Sequence, residues 1–170
     1  MATIGVAAAR HMLTRVTSGP DWDEREILAR FDDLELLLRS IAGENASISS
    51  SRDPDSNGIV ADLTMEPRVG DGCPAYVVAF GELVVGVGQT NCRIELEYSD
   101  QNFRLVKRIL GAVVDGRVTE TFGIHRSRVV ITFEDGKTMS FTDLDGCLSL
   151  LVPQPGWHRW GRRLHYAPYV

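Results

Sequence analysis

Between residues 92 and 141 the spacing of apolar positions changes from strand-like to helical and back without a gap. From Cys92 to Tyr98 apolar and charged residues alternate, the period-two pattern of a strand with one face buried and one in water. Ser99 or Asp100 then offers an N-cap, and Phe103, Val106, Ile109, Leu110 and Val113 recur at helical spacing until Gly116 ends the run. Residues 117–124 read as a further strand, with a turn at residues 125–127. A hairpin follows: Val129, Ile131 and Phe133 share one face, Glu134, Asp135 and Gly136 supply an Asp-Gly turn, and Met139 and Phe141 return on the apolar side.

The N-terminal half yields to the same reasoning. Asp21 and Glu24 stand at capping-box spacing, and Ile27, Leu28, Phe31, Leu34, Leu37, Leu38 and Ile41 form one apolar stripe of a helix closed by Gly43. Residues 46–52 and 58–65 flank a turn-rich stretch at 53–58 and predict a hairpin with Ile59, Ala61, Leu63 and Met65 inward. Residues 66–74 read as an exposed loop. Residues 75–80 and 83–87 are the most apolar and predict central strands, where Gly86 and Gly88 permit a bulge or a close backbone approach. The expected core centres on Phe31, Leu34, Leu38, Val78, Val85, Ile94, Leu96, Ile109, Val129, Ile131 and Phe133.

The ends are less regular. Residues 1–16 read as either a short helix or a loose arm, and residues 144–170, punctuated by Pro153, Pro155 and Pro168, as an irregular aromatic and basic tail packed on the sheet. Together these elements predict a single α+β domain over residues 1–170, with a mainly antiparallel sheet of about six to eight strands and two principal helices.

Composition narrows the class. A chain of 170 residues is long enough to bury its own core without a covalent staple. Cys73, Cys92 and Cys147 have neither the even number of a disulfide framework nor the spacing of a zinc site, and read as reduced core thiols. Ile4 to Ala9 is interrupted by Arg10 and His11, too short an apolar run for an export signal or a membrane span, which predicts a cytoplasmic protein. Of 18 basic residues 16 are Arg, a bias characteristic of GC-rich bacterial genomes rather than of a site. Charge is unevenly spread: residues 1–100 carry 17 acidic and 8 basic side chains, residues 101–170 carry 6 and 10. The halves differ in sign, as two solvated faces or two interaction surfaces would.

Catalytic and cofactor motifs are missing. The glycines of residues 81–88 have neither the order nor the following helix of a phosphate cradle, and His11, His125, His158 and His165 are scattered. Asp143 and Asp145 before Gly146 lack the further oxygen ligands of a calcium loop and read as a turn. The sequence therefore predicts no cofactor, no metal and no catalytic residue, with polar groups spent on solvent and on a macromolecular partner. An enzyme using Asp143, Asp145 and His125 around a pocket is the alternative it leaves for catalysis.

Two surfaces stand out. Asp23, Glu26, Asp33 and Glu35 form the outer, acidic face of the first helix, suited to a basic protein partner. Trp157, Arg159, Trp160, Arg162 and Arg163 combine stacking rings with phosphate-gripping cations, the alternative of a nucleic-acid-binding module. The order of Arg93 to Tyr98, a helix, Gly116 to Val118, Asp135 to Lys137, Leu151 to Trp157 and Gly161 to Tyr169 resembles small bacterial immunity proteins of polymorphic toxin systems. That resemblance, over residues 92–169, implies a non-enzymatic cytoplasmic protein that neutralises a cognate toxin by covering its active site, with no membrane involvement.

Overall fold

The computed structural model describes residues 22–52, 60–68, 70–90, 92–144 and 156–169. The arm expected over residues 1–16, the cap Asp21, the turn at 53–58, and Asp145, Cys147 and the first part of the tail lie outside the described residues.

Helix α1 (Glu24–Ala42) starts two residues later than the Asp21 box implies. Asp23 and Glu26 repeat the capping-box spacing, and Asp23 takes the extended conformation of an N-cap, its side chain accepting from the Arg25 amide at 3.4 Å. Ile27, Phe31, Leu34, Leu38 and Ala42 are buried, while Ile41 in the last turn is exposed. A single 3-10 turn (Gly43–Asn45) leads into a five-stranded antiparallel sheet in chain order: β1 (Ala46–Ser51), β2 (Ala61–Pro67), β3 (Ala75–Phe80), β4 (Glu82–Val87) and β5 (Cys92–Leu96). Helix α2 (Asp100–Val114), capped by Ser99 whose hydroxyl accepts from Asn102 N at 3.1 Å, then crosses to a second antiparallel sheet. Its strands are β6 (Val118–Gly123), β7 (Arg126–Thr132), β8 (Thr138–Leu144) and, after a single helical turn α3 (Trp157–Trp160), β9 (Arg162–His165), in the order β8-β7-β6-β9.

The α+β class and antiparallel pairing are as the sequence predicts, but nine strands fall into two sheets rather than one. The tail is not irregular throughout. Of its prolines and glycines only Gly161 falls within residues 157–166, which form α3 and pair β9 along the edge of β6, with Phe122 opposite Arg162 and Thr119 opposite His165. The β6–β7 turn is tighter than expected, with Gly123 paired to Arg126 so that only Ile124 and His125 turn the chain.

The core joins both sheets and both helices in one hydrophobic cluster. In the larger sheet the register stacks Leu63, Val77, Val85 and Ile94 in a row, and the first three are fully buried. Burying each such side chain stabilises by roughly 1.5–3 kcal/mol. Val78, an expected core residue, is only half-buried; in the uninterrupted apolar run of β3 the sequence gives no phase, and Ala75, Val77 and Ala79 take the inward face. Ile94 and Leu96 pack on the core while remaining partly exposed. Of the loop expected at 66–74, Glu66 and Pro67 extend β2; Arg68 and Asp71 are exposed, but Gly72 and Cys73 are buried and the Tyr169 hydroxyl donates to the Cys73 carbonyl at 2.8 Å. No helix among the described residues is long and apolar enough to cross a membrane.

Candidate functional site

Strand β6 carries the one fully buried carboxylate among the described residues, Glu120. Glu120 lies two residues after buried Val118, on the same face of the strand, so the pleat drives its side chain into the core. A buried carboxylate needs donors on every side. Glu120 receives four: at Oε2 the Gln89 amide (2.9 Å) and the Tyr166 hydroxyl, at Oε1 the Thr90 amide (3.2 Å) and the Thr90 hydroxyl. The β4–β5 turn brings its amides this close because Gly88 adopts φ +89°, where a Cβ would sit 2.6 Å from Glu120 Oε2. Glu120 thereby ties the larger sheet to the smaller one and to the C-terminal segment. Burial and the bond to Glu120 push the Tyr166 hydroxyl well above its ordinary range.

Hydroxyls extend the cluster outward. Thr90 Oγ1 lies 2.6 Å from Ser127 Oγ, which lies 2.9 Å from Cys92 Sγ. Thr90 has one hydroxyl proton, and the carboxylate, which accepts only, takes it. Ser127 must then donate to Thr90 and the Cys92 thiol to Ser127, a chain of donors directed at Glu120. Thr90 and Ser127 also line a surface cavity of about 380 Å³ together with Phe122, Gly123, His125, Arg126 and Asp143. His125 and Asp143 thus do share a cavity, as the catalytic alternative requires. No hydrogen bond or ion pair joins them; Asp143 Oδ1 accepts from the Leu144 amide at 2.9 Å. All four acceptor positions of Glu120 are filled, and the cluster clamps the β4–β5 turn and the C-terminal segment to β6.

Beyond the polar groups expected at solvent and partner surfaces, the structure gathers a polar cluster in the interior. Gln89, Thr90, Cys92, Glu120, Ser127 and Tyr166 come together from four separate segments, so no motif spacing announces them. The available signal is Glu120 itself, a charged residue on the inward phase of a strand.

The predicted acidic face is divided. Asp23 is spent as the cap. Glu35 pairs with Arg52 just after β1 (3.1 Å) and with Arg39 one turn along α1 (2.7 Å), and hydrogen bonds from Ser50 and Arg39 hold its carboxyl below the usual value. Glu26 and Asp33 line a second cavity, of about 440 Å³, with Trp22, Arg30 and Asp100, where Arg30 pairs with Asp100 at 2.5 Å and Lys107 stands 3.9 Å from Asp33.

The tail residues are brought together at one end of the smaller sheet. That end comprises the β6–β7 turn, the last residues of β8, which pair Leu144 with Arg126, and α3 with the start of β9. Trp157 is buried beneath, against Gly123, where an added Cβ would fall 2.7 Å from the ring, and the Arg126 guanidinium stands 5.9 Å from the ring centroid. Arg162 lies 4.8 Å over Phe122 and Arg163 donates to the His158 carbonyl at 3.2 Å. Trp160, Ile124 and Leu144 stand out at this end with 61%, 59% and 45% of their surface exposed, and Arg159, Arg162 and Arg163 are exposed with them. The chain matches no protein-family model, no curated protein and no solved structure at a significant level.

Proposed function

We propose that this is a non-enzymatic cytoplasmic binding protein that docks on a partner protein and covers it, as the toxin-neutralising immunity proteins it resembles do. The observation that carries this reading is the grouping of exposed Ile124, Leu144 and Trp160 with Arg126, Arg159, Arg162 and Arg163 at one end of the smaller sheet. Large apolar side chains left together in water mark interaction surfaces, and Trp and Arg are the residues that most often dominate binding energy. The docking surface so proposed differs from the acidic helix face, where Asp23 caps the helix and Glu35 is paired with Arg39 and Arg52. Co-expression with the product of the neighbouring gene tests the reading. Protection of the host and a co-purifying complex, both lost in Trp160→Ala, are expected; absence of protection and of any complex with the wild-type chain ends it.

Nucleic-acid binding is the second reading, favoured by one observation: Trp160 is free to stack while Arg159, Arg162 and Arg163 are exposed beside it. It predicts retention of labelled single-stranded RNA or DNA in low salt that Trp160→Ala and Arg162→Ala reduce.

A further inference from the structure

We infer that the exposed end of the smaller sheet is built for an acidic protein surface, so that the partner presents carboxylates around an apolar centre; this rests on the protein-binding reading above. Arg159, Arg162 and Arg163 are exposed together at this end, beside exposed Trp160, in a chain whose net charge is −5. Arginine is suited to this task because its planar fork meets a carboxylate with two parallel hydrogen bonds and keeps its charge when water is excluded.

The apolar residues select between polyanions. Ile124 at the turn and Leu144 at the end of β8 are aliphatic, with no ring on which a base can stack, and they gain nothing from a phosphate backbone. They match instead the apolar centre of a protein interface, around which the arginines form a charged rim. The overall negative charge points the same way. A nucleic acid spreads its charge beyond the docking end and meets the acidic remainder of this chain, whereas an acidic patch on a folded protein is confined to the contact. Arg162 over Phe122 and Arg163 on the His158 carbonyl are held in place before a partner arrives, which lowers the entropy lost on docking.

The experiment uses the full chain and two labelled probes of similar charge, a soluble peptide of mixed Glu and Leu and an oligothymidylate, titrated in low salt by fluorescence anisotropy. The peptide is expected to bind more tightly than the oligonucleotide. The double variant Arg159→Glu, Arg163→Glu is expected to weaken peptide binding at least about tenfold, and Trp160→Ala several-fold, each with an unchanged circular dichroism spectrum. Glu26→Lys with Asp33→Lys leaves it within about twofold, since those carboxylates lie on the α1–α2 side. Tighter binding of the oligonucleotide, with the same dependence on the arginines, overturns the inference, as does loss of peptide binding in the helix variant but not the arginine variant. The neighbouring gene's product separates the two levels. If it binds the wild-type and arginine-reversed chains equally, the acidic-partner inference fails while protein binding stands; if it binds the wild type not at all, the underlying reading falls.

Discussion

Replacing Glu120 by Gln keeps the shape of the side chain and changes one acceptor oxygen into an amino group, which is why it measures the clamp. Whichever way the amide is placed, one backbone N–H and one hydroxyl that now donate to the carboxylate face a donor instead: Thr90 N and Oγ1 at one end, Gln89 N and the Tyr166 hydroxyl at the other. The cheaper placement puts the amino group toward Tyr166, because the Gln89 amide also lies 3.0 Å from the Tyr166 oxygen and keeps a partner there. Two hydrogen bonds to a charged acceptor are still lost or weakened, each contributing about 1.5–3 kcal/mol, so the variant is expected to be destabilised by about 3 kcal/mol. For 170 residues the unfolding entropy is about 0.36 kcal/mol/K, which converts that loss into a fall in Tm of about 8 °C. Thermal unfolding followed by far-UV circular dichroism reads it directly. Tyr166→Phe should cost about 1.5–3 kcal/mol by itself and less in the Glu120→Gln background, because the two share a bond. A Tm within about 3 °C of wild type for Glu120→Gln would refute the clamp, since that is only about 1 kcal/mol.

Gly88→Ala strikes the same junction from the other side: it forces a side chain into φ +89° and a Cβ to 2.6 Å from Glu120 Oε2, so a loss of about 2–4 kcal/mol is expected in urea unfolding. Glu35→Gln should cost about 0.5–1 kcal/mol at neutral pH. The carboxyl's pKa is lowered in the folded state, so the contribution of Glu35 is fully present above the ordinary value of 4.5 and is lost as pH falls through the folded value below it; wild type and variant should converge in acid. Cys73 and Cys92 are fully buried, and burial pushes the Cys73 thiol far up, so mass spectrometry after brief iodoacetamide treatment should find both unmodified in the native protein and modified in denaturant.

What the sequence reveals of this fold depends on whether the deciding interaction is local. The β7–β8 hairpin and α2 are legible because alternation, an Asp-Gly turn and a Ser cap act within a few residues, and the register pairs Val129 with Phe141 and Ile131 with Met139 as the pattern implies. The start of α1 shifts because Asp21–Glu24 and Asp23–Glu26 offer overlapping boxes of equal spacing, and only backbone geometry decides between them. The inward face of β3 is illegible in a run of six residues with no charged one, since both phases are apolar. The addition of β9 beside β6 rests on pairing between residues forty or more positions apart, such as Thr119 with His165, for which the sequence holds no local signal. The Glu120 cluster is hidden for the same reason, whereas the aromatic and basic richness of residues 157–169 is visible directly and only its distribution between core and surface is not.

That distribution gives the C-terminal segment two tasks at once. Tyr166 on Glu120, Tyr169 on the Cys73 carbonyl and Trp157 against Gly123 anchor it in the core, while Arg159, Trp160 and Arg163 from the same stretch reach solvent. A short helix or a four-residue edge strand is not stable alone in water; here the buried rings hold α3 and β9 in place, and the exposed residues inherit that rigidity. Side chains fixed in this way lose little freedom when a partner docks. The buried carboxylate thus supports the proposed interface from beneath by fixing the strand that carries it.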